Sequence, residues 1–227
     1  MSGLAVILYA RSGVMRAAFN AVGWDAIEVD VLPGQVGGLH WQGDVFDFMD
    51  TRLWHLADLA ILHPVCTYVS GSGLHWNRRV YGREACTLWS LDQVRRLIAR
   101  IKRDRKKAVV ENPVGLIGTK IQPSTQTVQP YQFGDDASKR TCLWMFGGLP
   151  PLVIPPRSLW VPGRRVRDAN GKVVERWANQ TDSGQNRLGP SQERAGMRSE
   201  TYPGIAAALA QQMTAAVQSQ LPLDLAA

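Results

Sequence analysis

Three cysteines in 227 residues leave little scope for covalent cross-linking. Their number is odd and they lie far apart, at Cys66, Cys86 and Cys142, so neither a disulfide framework nor a zinc site is indicated. That usage fits a reducing cytoplasm. No apolar run approaches the roughly 20 residues of a membrane span, because Arg, Lys, Asp or Gly interrupts each one. The opening "MSGLAVILYARSG" has no basic stretch ahead of its apolar one and reads as a first buried strand, not a signal peptide. There is no internal repeat and no low-complexity tract. Acidic residues are the minority charge, 19 against 26 Lys and Arg, leaving a net charge of +7. That balance favours an anionic partner, with nucleic acid leading.

What remains is an ordinary globular composition, 45% hydrophobic, long enough for one domain and a small insert. "LAVILYA" (4–10) reads as a buried strand and "VMRAAFNAV" (14–22) as a helix stopped by Gly23. "DAIEVDVL" (25–32) reads as a second strand, followed by the Gly-rich loop "PGQVGG". "HWQGDVFDFM" reads as a short strand and a turn into a helix, and "ADLAILHP" (57–64) as a fourth strand. "TLWSLDQVRRLIARIKRD" (87–104) is amphipathic, with Leu91, Val94, Leu97, Ile98 and Ile101 on one stripe. "KKAVVENP" (106–113) is a further strand. Strands alternating with helices across short connections predict an α/β fold: a mostly parallel sheet with helices on both faces.

Beyond residue 150 the chain is rich in proline and poor in helical pattern. "RRVRDANGKVVERW" predicts a hairpin turning at Asn170-Gly171, residues 178–200 a basic loop, and "YPGIAAALAQQMTAAVQSQL" a closing helix with Pro203 at its start and Ile205, Leu209 and Met213 on one stripe. The tail "PLDLAA" reads as frayed. The expected organisation is a catalytic α/β domain (1–152), a small insert (153–195) and a C-terminal segment whose helix packs on that domain (196–227).

In a parallel sheet, ligands bind at the carboxyl ends of the strands. Those ends carry Arg11-Ser12-Gly13, Glu28 and Asp30, Asp44, Pro64-Val65-Cys66 and Glu111-Asn112-Pro113. A cysteine and an acid on one sheet edge suit substitution at carbon 5 of a pyrimidine. That carbon is a poor nucleophile until a thiolate adds to carbon 6 and breaks the aromaticity. An acid near N3 then neutralises the charge that builds there, carbon 5 attacks a one-carbon electrophile, a base removes the C5 proton, and the thiolate leaves. In that role Glu111 calls for a raised pKa or a strong hydrogen-bond partner. His63, pointed away from Cys66 by strand alternation, reads as structural, and Cys142, inside "TCLWMF", as core.

With these residues in place, the chain resembles the DNA cytosine-5 methyltransferases, particularly their short, bacteriophage-type members. "HPVCTYVS" resembles the nucleophile loop usually written Pro-Pro-Cys, with Ser70 four residues after Cys66; "ENP" (111–113) resembles the Glu-Asn-Val motif, and "LYARSGVMRAAF" the first cofactor loop. "QPYQFG" with "SKRTCLW" (129–144) and "RSETYPGIAAALAQQM" look like blocks of the phage members. The likeness covers most of residues 4–213; Val65 departs from the second proline, and Gly13 stands alone where larger members carry several glycines.

The resemblance implies a Rossmann-like class I methyltransferase fold with a small β-hairpin insert, and S-adenosyl-L-methionine as donor. Methylenetetrahydrofolate and a carbamoyl donor stay open as alternatives, as does a non-catalytic DNA-binding protein on the same scaffold. It implies Cys66 as nucleophile, Glu111 at N3 and Asn112 beside it. It implies a cofactor site at Ala10, Arg11, Ser12, Gly13, Asp30, Asp44 and Pro64. Asp30 and Asp44 also read as helix caps or surface acids. Double-stranded DNA is the implied partner, in a bacterial or phage-infected cell, with a monomer favoured. DNA contacts fall on Ser70, Lys139 and Arg140, and on the hairpin's Arg164, Arg165, Arg167 and Lys172, where Trp160 and Trp177 are available for stacking or for packing on the main domain. The basic run from Arg95 to Lys107 reads as a solvated helix face away from the site. A target in duplex DNA must be flipped out, at roughly a few kcal/mol of lost stacking and pairing, and the loop 71–73 and the insert are candidates to hold the duplex open.

Overall fold

A computed structural model describes residues 2–74, 76–77, 79–189 and 200–220. The end of the expected insert (190–195), the start of the C-terminal segment (196–199) and the tail from 221 lie outside the described residues.

The protein is a mixed α/β structure built on a seven-stranded, mostly parallel sheet, with a separate two-stranded hairpin. In chain order its elements are β1 (Leu4–Leu8), α1 (Val14–Ala21), β2 (Asp25–Asp30), β3 (His40–Gln42), α2 (Val45–Met49), α3 (Arg52–Leu56) and β4 (Leu59–Leu62). There follow α4 (Gly71–Leu74), α5 (Arg83–Arg103), β5 (Ala108–Pro113), α6 (Ile117–Lys120), β6 (Gln126–Val128) and β7 (Thr141–Phe146). Last come the hairpin strands β8 (Arg164–Arg167) and β9 (Val173–Arg176) and the closing helix α7 (Pro203–Ser219).

Strand order is β3-β2-β1-β4-β5-β7-β6, and β7 runs antiparallel to both its neighbours. β7 and β6 are additions to the expected set. "TCLWMF" is nearly all apolar because β7 is buried on both faces, so it lacks the alternation by which a strand is recognised.

The sheet separates two cores, as period-two alternation requires. Val6 and Leu8 of β1 face one side, with Ala60, Leu62 and Val110, under α2, α3 and the Leu91–Ile101 stripe of α5. Ala5 and Ile7 face the other, with Leu59, Ile61 and Val109, under α1 and α7. Each fully buried Leu or Ile contributes about 1.5–3 kcal/mol, so the central strands anchor the fold. The expected stripe Ile205, Leu209, Met213 is buried on that second face.

Local chemistry explains the boundaries. Asp44 caps α2, its Oδ1 accepting from the Phe46 amide at 2.8 Å. α7 begins with Pro203, and Asp135 Oδ2 accepts from the next amide, Gly204, at 3.0 Å. At the amino-end side of the sheet, Asp104 accepts from Trp54 Nε1 (2.7 Å), Arg100 (2.5 Å) and Arg103 (3.0 Å). Burial alone would raise its pKa, but those donors hold it at about 2. Much of the basic run is spent this way: Lys106 donates to the His55 and Ala57 carbonyls, and Arg96 lies over the Phe46 ring.

Candidate active site

The connection order reverses between β1 and β4, the place where open α/β sheets bind ligands. A cavity of about 520 Å³ opens there, at the carboxyl ends of the strands. Its wall includes Ala10, Arg11, Ser12, Asp30, Asp44 and Pro64, six of the seven residues expected around a donor. Gly13 does not line it. It turns the chain into α1 with φ 82°, and a Cβ there would meet Val36 Cγ2 at 2.3 Å, so glycine is required.

The loop after β1 is held from beneath. The Gly13 amide donates to Glu28 Oε1 at 2.8 Å, and Arg16 Nη1 pairs with Glu28 Oε2 at 3.2 Å. Arg16 also donates to the carbonyls of Leu39 and Gly37, at 2.9 and 2.6 Å, binding the Gly-rich loop down. Asp30 and Asp44 each spend one oxygen on a local amide, Leu32 and Phe46. A carboxylate has further lone pairs, so both keep acceptor capacity toward the cavity. Between them lies a residue that sequence reasoning missed, Tyr9. It sits in the left-handed region with φ 59° and lines the same cavity. Burial, with the nearby charges of Asp44 and Asp30, pushes its hydroxyl far above the ordinary tyrosine range, so it stays a donor. A bulky residue at positive φ at the end of the first strand is a local cost of the kind found at binding sites.

A second cavity, of about 690 Å³, lies between the sheet edge and the insert. Cys66, Thr67, Pro113, Lys139 and Glu200 line both. Cys66 therefore stands on the wall that the two spaces share. Its loop is fastened to the loop after β5. Asn112 Nδ2 donates to the Pro64 carbonyl at 2.7 Å, Gly71 to Val114 (2.9 Å) and Leu116 to Val69 (2.8 Å). Gly115 permits the approach, since a Cβ there would lie 2.0 Å from the Val69 carbonyl oxygen. The Cys66 carbonyl also accepts from the Ser70 amide at 2.9 Å, so the thiol is carried on a tight turn.

Glu111 is buried on the floor of the first cavity. β4 and β5 are parallel neighbours with Leu62 opposite Val110, which sets the next residues, His63 and Glu111, side by side. His63 Nδ1 lies 2.9 Å from Glu111 Oε2. The structural reading of His63 is thus corrected: its ring belongs to the site. The signal was available in the two strands' common ending, His-Pro and Glu-Asn-Pro at one level. The expected raised pKa of Glu111 is corrected as well. Burial does push it up, but the His63 hydrogen bond and the charges of Lys139 and His63 outweigh that and hold it below the usual glutamate range. The ionised carboxylate only accepts, so Nδ1 carries the hydrogen. Two buried polar atoms here, His63 Nε2 and Asn112 Oδ1, have no hydrogen-bond partner among the described residues. Unmet polar atoms beside a cavity are groups that a ligand can satisfy.

The residues expected to meet DNA divide. Lys139 lines both cavities, and its Nζ donates to the Glu200 carbonyl at 3.1 Å; Ser70 lines the second. Arg140 is exposed and lines neither. Arg164, Arg165, Arg167 and Lys172 lie on the β8–β9 hairpin or its turn, outside both cavity walls. Arg164 pairs with Asp182 at 2.5 Å, and Arg167 donates to the Gly171 carbonyl. The tryptophans flanking the hairpin pack inward. Trp177 stacks on Tyr131 with centroids 4.1 Å apart, and Trp160 tilts against the same ring at 5.6 Å. The insert itself reaches the second cavity, through Asn179, Gln180, Asn186 and Arg187.

Among the described residues no cluster of three His, Cys, Asp or Glu side chains is placed to hold a metal ion, and no helix is long and apolar enough to cross a membrane. No protein-family model matches the chain, and no curated protein does.

Proposed function

We propose that the protein is a DNA cytosine C5 one-carbon transferase on a class I methyltransferase scaffold, with Cys66 as nucleophile and S-adenosyl-L-methionine as donor. The observation that carries this reading is the position of Cys66 on the wall between two cavities, with a buried Glu111 at the end of the neighbouring strand. A group-transfer enzyme needs two spaces meeting at one reactive atom. The cavity at the β1–β4 reversal suits the donor, and the cavity under the insert suits the nucleic acid that brings the base.

The donor end is lined by Asp30, Asp44 and the Tyr9 hydroxyl. Acceptors and a donor of that kind suit a nucleoside's hydroxyls and amine. S-adenosylmethionine bound there supplies an electrophilic methyl group. The protein's own residues do the rest. Cys66 Sγ adds to C6 of the extruded cytosine. The charge that builds at N3 is met by Glu111, which passes to N3 a proton taken up from solvent and returns to the carboxylate that His63 Nδ1 hydrogen-bonds. Asn112 keeps the Pro64–Cys66 turn in place during addition and departure. After C5 has gained its carbon, loss of the C5 proton to a base lets Sγ leave and restores the ring.

The test is mass spectrometry of nucleosides from DNA of cells expressing the wild type or Cys66→Ala. A Cys66-dependent gain of one methyl on cytosine is expected. A different Cys66-dependent gain keeps the nucleophile and replaces the donor. Unmodified DNA, together with no Cys66-dependent covalent adduct on 5-fluorocytosine DNA in vitro, overturns the reading.

A further inference from the structure

Sixteen large hydrophobic residues are exposed among the described residues, and five of them, Trp76, Val80, Tyr81, Leu88 and Trp89, fall within 14 consecutive positions. Tyr81 is 106% exposed, Trp89 55% and Trp76 45%. Clustered exposure of this kind marks a binding surface, whereas single exposed apolar residues do not.

The segment is tied down. Arg79 and Val80 amides donate to the Trp76 carbonyl at 2.9 and 3.0 Å. Asn77 Nδ2 donates to Thr87 Oγ1 at 2.9 Å, and that hydroxyl lies 3.0 Å from the Tyr68 carbonyl in the cysteine loop. Arg83 donates to the Thr67 carbonyl at 3.1 Å. Trp76 and Trp89 each share a cavity wall with Cys66, and Tyr81 stands fully exposed on the same tethered segment, so little ordering cost remains when something stacks on them.

Position and charge identify the occupant. Trp76 lines the cavity under the insert, Trp89 lines the cavity at the β1–β4 reversal, and the two meet at Cys66 and Thr67. Arginine alternates with the rings in "WNRRVYGR" (76–83). Arg79 lies over the Trp76 ring at 5.7 Å and Arg83 over Tyr68 at 4.9 Å. Glu84 is the one acid between Trp76 and Trp89. Aromatic faces interleaved with arginine suit bases and phosphates of a nucleic-acid strand, and every base offers a face.

From this we infer that residues 76–89 form a base-stacking platform for the strand that carries the target, so that single-stranded or locally opened DNA is bound in preference to closed duplex. A closed duplex keeps its base faces stacked on one another, and these rings gain nothing from it. The inference rests on the transferase reading for the identity of the target base, and on the platform's own geometry for the rest.

Equilibrium binding of one cytosine-containing oligonucleotide, as a single strand and as a duplex, tests it with the full chain. The wild type is expected to bind the single strand more tightly. Tyr81→Ala and Trp89→Ala are each expected to weaken single-strand binding about tenfold, with little change on the duplex. Both rings are exposed, so thermal melting of each variant should match the wild type. Equal wild-type affinity for the two forms, or unchanged single-strand binding by both variants, overturns the platform. Trapping on 5-fluorocytosine single strands separates the two readings. Ring-dependent binding without a Cys66 adduct keeps the platform and removes the transferase. An adduct formed equally by wild type and both variants does the reverse.

Discussion

Two buried glutamates stand near the carboxyl ends of β2 and β5, Glu28 level with Val109 and Glu111 two residues further on, and they are put to opposite uses. Glu28, in β2, is closed off: one oxygen takes the Gly13 amide, the other faces Arg16, and neither Glu28 nor Arg16 lines either cavity. Arg16 in turn is shared among loop carbonyls. Glu111, in β5, faces a cavity, and its partner His63 and neighbour Asn112 both keep an unmet polar atom. A buried carboxylate is therefore not by itself a sign of chemistry. Glu28 Oε2 pairs with Arg16 but makes no hydrogen bond among the described residues, so an unmet atom does not by itself mark a site. The informative difference is access: Glu28 lies off both cavity walls and holds a loop, whereas Glu111 and its unmet neighbours lie beside a cavity that a ligand can enter.

The sharpest way to break the comparison is to neutralise each glutamate. Glu111→Gln should lower the rate of adduct formation by about 10²–10⁴, the usual worth of a positioned acid, while thermal melting changes little. A variant with near-normal rates would make Glu111 a second Glu28. Glu28→Ala should do the converse. Breaking a buried pair leaves Arg16 without its carboxylate and costs about 3 kcal/mol in urea unfolding. The surviving folded fraction should still trap DNA.

A third, smaller effect probes the His63–Glu111 pair through pH. In the wild type the folded pKa of Glu111 lies below its unfolded value. Its contribution to stability is therefore present above the unfolded value and is lost as pH falls through the folded one. His63→Ala removes both the hydrogen bond and the charge of His63 and leaves only Lys139 against burial, so the folded pKa moves up. A higher folded pKa weakens the ionised form in the native state, so the variant's stability relative to the wild type falls as pH rises through the shifted value. Urea titrations of both proteins between about pH 4 and 7 should show the variant losing stability relative to the wild type as pH rises. Parallel curves would mean that His63 does not set the state of Glu111. The smallest effect should be that of Arg140→Ala, which is exposed and lines neither cavity. Its stability should stay within about 0.5 kcal/mol of wild type. If the residue meets a phosphate, the salt dependence of DNA binding should become shallower by about one unit of slope.

Much of the frame was legible along the chain. Apolar runs ended by Pro64 and Pro113 marked β4 and β5 as strands of one parallel sheet, and the Leu91–Ile101 stripe marked the face of α5. Periodicity and breakers are local properties, so a linear reading can find them. β7 escaped because burial on both faces erases the alternation. His63 was misjudged because alternation within one strand says nothing of what lies across the next.

The sequence alone determined which residues stand at the strand ends, and so that a thiol, a carboxylate and an amide would share one sheet edge. Only the tertiary structure decided what they do to one another. Register between β4 and β5 placed His63 on Glu111, and Lys139, brought in from 28 residues beyond Glu111, helps hold that carboxylate ionised against its burial. The physical reason is the reach of each interaction. Patterning acts between residues a few positions apart, whereas electrostatics and desolvation act through space between segments that no spacing rule connects.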